Sequence, residues 1–242
     1  MSVYNTYFCE YKMLPEHTTR ENCMTFFGGM TAEDDKKELK NVTLLGRWAC
    51  VGGGRGFCVA IAKSNKDIQE WLTNWVTMAD IKVMPCLDDN QQRMLILGTQ
   101  PKFMVEYKNV DAEPLENESL YFIKYKFKDN AILEGFKAFA AMTEEEDKFD
   151  SGNCTPYGRW HIPSEGIGYA IVSSLTVKDV YECAYNWSAM CECNVIPVTG
   201  DNDTRNIIQN CYGFDVKYNQ LMQQLSKLQQ PVDNDCCLPN HR

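Results

Sequence analysis

The chain has 242 residues, 44% of them hydrophobic, with 33 acidic against 24 basic side chains, a net charge of -9 and a pI near 4.9. That acidity argues against nucleic acid or anionic membrane as a main partner, since both need a basic footprint. No apolar run approaches the roughly 20 residues of a membrane helix, and the first residues lack the charged-then-apolar order of a signal peptide, so a soluble protein of the cytoplasm or another reducing intracellular compartment is expected.

Residues 7–11, aromatic and alternating, predict a first strand. After Pro15, apolar residues at Cys23, Met24, Phe26, Phe27 and Met30 predict a helix, followed by a polar connection over residues 31–41. Residues 42–51 and 57–62 read as two strands of a hairpin whose turn is the glycine run Gly52-Gly53-Gly54-Arg55-Gly56. A phosphate-binding loop would have to lead from a strand into a helix, and this run lies between strands. Ser64 and Asp67 cap a second helix with Ile68, Trp71, Leu72, Trp75 and Met78 on one face. A fourth strand is expected to stop at Pro85, and the order β-α-β-β-α-β is that of a ferredoxin-like unit.

The order then recurs 112 positions on. Gly46-Arg47-Trp48 is matched by Gly158-Arg159-Trp160, Trp75 by Trp187, Pro85 by Pro197, and Asp89 and Arg93 by Asp201 and Arg205. About a third of positions between Gly46 and Arg93 are identical to their counterparts, which makes the chain a tandem repeat. The expected division is residues 1–107 as the first ferredoxin-like repeat, 108–119 as an acidic linker, 120–230 as the second repeat with a C-terminal helix near 218–229, and 231–242 as a tail.

One ferredoxin-like unit leaves a sheet face open, and two can bury those faces against each other. The central strands support this, being apolar at both alternations: Phe57, Val59 and Ile61 against Cys58, Ala60 and Ala62. The expected fold is therefore α+β: two repeats packed sheet to sheet as a barrel within one chain, helices outside.

Gly158-Arg159-Trp160-His161, the pair Gly166 and Gly168, Trp187 and Pro197-Val198 resemble a family within the dimeric α+β barrel superfamily that is marked by a Gly-Arg-Trp-His motif. The first copy departs from it, with Ala49 in place of the histidine and Cys86 in place of the valine. The resemblance covers nearly the whole chain and implies the fold. Superfamily relatives include cofactor-free monooxygenases, haem-binding peroxidases, haem degraders and isomerases, so the fold does not fix an activity.

Alternation puts Trp160 on one face of its strand and Arg159 with His161 on the other. If the tryptophans pack beneath the helices, Arg47, Arg159 and His161 line the barrel and suit an anionic or enolisable ligand, with His161 as general acid or base. In the opposite facing, Trp48 and Trp160 line the interior as core or as stacking platforms for a flat ligand. The plainer alternative for the arginines is pairing with carboxylates near the barrel rim.

Twelve cysteines do not read as a disulfide framework: Cys50 and Cys58 correspond to Ile162 and Ala170, and Cys183, Cys191 and Cys193 to Trp71, Ala79 and Ile81. No Cys-x-x-Cys pair exists, so neither Cys191 and Cys193 with Cys183 nor Cys236 and Cys237 with His241 predicts a zinc site. No metal or cofactor is expected. The composition and motifs suit a protein that binds a small apolar or anionic ligand or a partner, with self-association allowed. The alternative is a cofactor-independent monooxygenase- or isomerase-like enzyme acting on an aromatic or quinone-like substrate through Arg159 and His161.

Overall fold

The computed structural model describes residues 4–107, 110, 113–212 and 220–224. The first half gives β1 (Asn5–Met13), α1 (His17–Gly29), α2 (Ala32–Leu39), β2 (Val42–Cys50), β3 (Arg55–Ala62), α3 (Asn65–Leu72), β4 (Ala79–Asp88) and α4 (Asp89–Leu97). The second repeats it as β5 (Ser119–Phe127), α5 (Ile132–Ala141), α6 (Glu144–Ser151), β6 (Thr155–Ile162), β7 (Ile167–Ser174), α7 (Val177–Asn186), β8 (Cys191–Val198) and α8 (Asp201–Tyr212). Residues 220–224 are helical, with Leu221 buried; the rest of the helix expected at 218–229, and the tail with Cys236, Cys237 and His241, lie outside the described residues.

The strands form one antiparallel sheet in the order β2-β3-β1-β4-β6-β7-β5-β8. Two short seams join the halves. Leu87 and Asp88 of β4 pair with His161 and Trp160 of β6, and Thr199, just past β8, bridges back to Ala49 of β2. The seams are 112 positions apart on both sides, so the sheet closes into a barrel with an approximate internal two-fold. This is the α+β fold of two ferredoxin-like repeats expected above.

Aromatic side chains fill the interior in pairs that cross between the halves. Phe57 stacks on Phe122 at 3.7 Å and Phe8 on Tyr169 at 3.8 Å between ring centroids. Trp48 and Trp160 lie 6.0 Å apart in the same core, with almost no exposed surface. This settles the facing of the motif: the tryptophans point inward, and Arg47, Arg159 and His161 point outward beneath the helices. The reading that lined the barrel with arginine and histidine is corrected.

Local chemistry explains the motif. Each copy follows a β-bulge, between Leu44 and Gly46 and between Pro156 and Gly158. A Cβ on Gly158 would lie 2.3 Å from the Trp160 ring, so only glycine lets the indole fold back over its own strand.

Three further expectations change. The polar connections hold helices α2 and α6, started by reciprocal caps between Thr31 and Asp34 and between Thr143 and Glu146. β4 and β8 run past Pro85 and Pro197, because each strand is paired on one side only at that point and a proline there costs no ladder bond. Trp75 and Trp187 sit at or just beyond the ends of α3 and α7, half-buried, rather than on a fully buried helix face.

Candidate functional site

Arg159 and His161 leave β6 on the same face and enter a buried cluster built from both halves. Asp89, the first residue of α4, is 1% exposed and accepts bonds from three groups: Arg159 Nε at 2.8 Å, the Tyr107 hydroxyl at 2.7 Å and His161 Nε2 at 2.7 Å. Arg159 Nη2 reaches Asp147 of α6 at 2.7 Å. Arg93 of α4 lies over the Phe139 ring at 4.5 Å and donates to the Met142 carbonyl at 3.0 Å. The other ring nitrogen of His161, Nδ1, meets the Tyr125 hydroxyl.

The charge states follow from the partners. Burial disfavours an ionised Asp89, yet Arg159, His161 and Tyr107 outweigh it and hold the carboxyl below the usual carboxylate range. Burial pushes the His161 pKa down, and Asp89 offsets only part of that, so the imidazole is neutral at pH 7. A carboxylate can only accept, which fixes the proton on Nε2 and leaves Nδ1 to accept from Tyr125. Burial also raises the Tyr125 phenol well above its ordinary value. The result is an ordered chain, Tyr125 to His161 to Asp89.

The first half carries the same cluster without its histidine. Arg47 binds Asp35 of α2 through both terminal nitrogens, at 3.1 and 2.7 Å, and Asp201 of α8 through Nε at 2.7 Å. Arg205 lies over Phe27 at 4.3 Å and donates to the Phe27 and Met30 carbonyls. Ala49 stands where His161 does in the second half, and Tyr11 lies across Gly56 as Tyr125 lies across Gly168. Both arginines thus pair with carboxylates. Each cluster also takes its α4 or α8 carboxylate and arginine from the opposite half.

Sequence reasoning named Arg47, Arg159, His161, Trp48 and Trp160 as site residues. The structure brings Arg159 and His161 together, places Arg47 in the matching cluster, and puts both tryptophans in the barrel core. It adds Asp89, Tyr107, Tyr125 and Asp147. Of these, Asp89 and Asp147 carried a signal: both repeat 112 positions away, as Asp201 and Asp35.

Two clefts open between sheet and helices at matching places. The second-half cleft, ≈ 80 Å³, is lined by Tyr125, Phe139, Asp150, Arg159 and Trp187. The first-half cleft, ≈ 70 Å³, is lined by Tyr11, Phe27, Arg47, Trp71 and Trp75. Both are well below the roughly 300 Å³ at which pockets for larger ligands begin. A hollow of ≈ 390 Å³ beside the Val51–Gly53 turn includes Arg20, which is exposed and bonded to the Leu14 carbonyl.

A family model described as a domain of unknown function (DUF3303) matches this chain twice, over residues 6–99 and 119–212. Among solved structures, a mutant chlorite dismutase from Candidatus Nitrospira defluvii in complex with cyanide is 8% identical, aligns over 85% of this chain and 95% of its own, and has a TM-score of 0.53. Another mutant of that enzyme is 10% identical over 86% of this chain and 96% of its own, with a TM-score of 0.52. At such identity the likeness is one of fold alone. A comparison with curated proteins finds no match.

Proposed function

We propose that this chain, which belongs to the DUF3303 family, binds a compact and largely apolar small molecule in its second-half cleft, with Tyr125, Asp150 and Arg159 as polar anchors. The observation that supports this reading is the asymmetry between the clefts. The Tyr125 hydroxyl is oriented by His161 and Asp89, whereas Tyr11 shares the lining of the matching cleft with Ala49. With its one proton given to His161 Nδ1, the Tyr125 hydroxyl presents a fixed lone pair. An oriented acceptor loses less freedom on meeting a ligand donor than a rotating hydroxyl does, which favours binding. The small volume suits a ligand of few heavy atoms.

Native mass spectrometry of the purified chain, before and after gentle denaturation, identifies a retained molecule. Tyr125→Phe is expected to weaken its binding about tenfold, the worth of one hydrogen bond, and Tyr11→Phe to leave it unchanged. Equal effects of the two substitutions would refute placement in the second cleft.

The ordered chain itself favours a second, catalytic reading. In it, the Tyr125 oxygen takes a proton from the ligand as it passes its own proton to His161 Nδ1, so that no free phenolate forms, and Asp89 stabilises the resulting imidazolium. Turnover that is lost in His161→Asn while ligand affinity persists would select this reading over simple binding.

A further inference from the structure

We propose that Cys191 and Cys193 form a two-coordinate site for a soft, thiophilic monovalent cation, copper(I) being the biological ion of that class. The two residues alternate with Glu192 on β8, so their side chains share one face, and their sulfurs stand 3.7 Å apart. Both line the second-half cleft. Cys191 is 3% exposed and Cys193 half-buried, so the pair is sheltered yet reachable. Across the ladder Cys193 faces Tyr125 and Cys191 faces Phe127. An aromatic, poorly hydrated wall disfavours hard ions that keep their water and leaves thiolates as the ligands.

The donor set selects the geometry. Among the described residues no group of three or more His, Cys, Asp or Glu side chains is placed to hold a metal ion. That argues against a tetrahedral zinc centre, as the missing Cys-x-x-Cys spacing already did. A linear sulfur–metal–sulfur unit needs only two ligands. With metal–sulfur bonds of about 2.2 Å its sulfurs stand about 4.4 Å apart, a little shorter bond than zinc–thiolate. Alternate residues on a strand have Cα atoms roughly 6.6 Å apart, so small side-chain rotations take the sulfurs from 3.7 Å to that separation.

The charge balance is also met locally. Binding one monovalent cation releases two protons, one from each thiol, and leaves a complex of charge minus one with no electron transferred. Lys128 places its ammonium beside this end of β8, donating to the Ser188 and Ala189 carbonyls at 3.1 and 3.0 Å. The first half has Ala79 and Ile81 at the matching positions, so it carries no second copy of the pair. The site does not depend on the ligand reading above.

The test is anaerobic titration of the reduced full chain with copper(I) against the chelator bicinchoninate. One copper(I) per chain is expected to be retained. Cys191→Ser and Cys193→Ser should each weaken retention by at least about 100-fold, since lost ligands cost more than the 10–100-fold typical of outer-shell partners. The double variant Cys236→Ser/Cys237→Ser, which removes the adjacent thiols of the tail, should retain copper(I) unchanged. X-ray absorption on the unmutated, loaded chain gives a readout independent of variant folding, with two sulfur neighbours at about 2.2 Å expected. No uptake, three or more sulfur neighbours, or retention that survives loss of both Cys191 and Cys193 would overturn the proposal.

Discussion

Replacing Asp89 by alanine should cost far more stability than replacing its internal counterpart Asp201. The Asp89 side chain is 1% exposed and serves Arg159, Tyr107 and His161 together. Without it, Arg159 keeps only Asp147 as a carboxylate partner, and two neutral donors lose their acceptor in a dry site. Breaking one member of a buried ion pair costs about 3–5 kcal/mol, and each stranded donor adds about 1–3 kcal/mol without strict additivity. A loss of at least about 4 kcal/mol follows. The Asp201 side chain is 33% exposed, water reaches it, and Arg47 retains its two bonds to Asp35. Discounted for that exposure, its loss should be about 1 kcal/mol. The two variants should therefore differ by about 6–12 °C in Tm for a chain of this length. Urea unfolding at constant m, with calorimetry on the same samples, measures both in one background. Equal losses would show that burial of Asp89 contributes nothing and would refute the reasoning.

Three other outcomes can be measured. His161 has its pKa lowered by burial, so the unfolded chain binds a proton that the folded one does not. Stability should therefore fall as pH drops through the unfolded value of 6.5, by at most about 1.4 kcal/mol per pH unit; urea midpoints between pH 7.5 and 5 should show a slope that His161→Asn flattens. Asp89, its carboxyl depressed, adds a separate loss only as pH falls below the ordinary value of 3.8. Gly158→Ala should cost about 1–3 kcal/mol by driving a Cβ into Trp160, visible in near-UV circular dichroism. Gly54, with φ of 59° and nothing within 4 Å of where a Cβ would stand, should accept asparagine almost without cost. A Tm unchanged in Gly158→Ala, or a large drop in Gly54→Asn, would contradict the packing described.

The repeat was legible because matched residues such as Trp75 and Trp187 stand at a fixed spacing and the strands alternate cleanly. Helices α2 and α6 were not, since neither offers an apolar stripe: α2 buries no residue and α6 only Asp147. Their Thr-x-x-Asp and Thr-x-x-Glu starts were the available signal. The facing of Trp48 and Trp160 could not be read from alternation, because both faces of the central strands are buried and the pattern is the same either way. Asp89 was legible as a repeated residue but not as a partner of His161. That contact depends on α4 crossing onto the other half, which sequence spacing does not encode.

This reciprocal crossing has a consequence for synthesis. Arg47 takes one of its two carboxylate partners, Asp201, from 154 residues further along the chain. At ribosomal speeds of about 5–20 residues per second, the nascent first half waits roughly 8 to 30 s for that partner to be made. Until then its guanidinium has only Asp35, and the sheet face that meets the second half is uncovered. The first repeat therefore emerges as an unfinished template, and maturation of the whole molecule is timed by the appearance of α8.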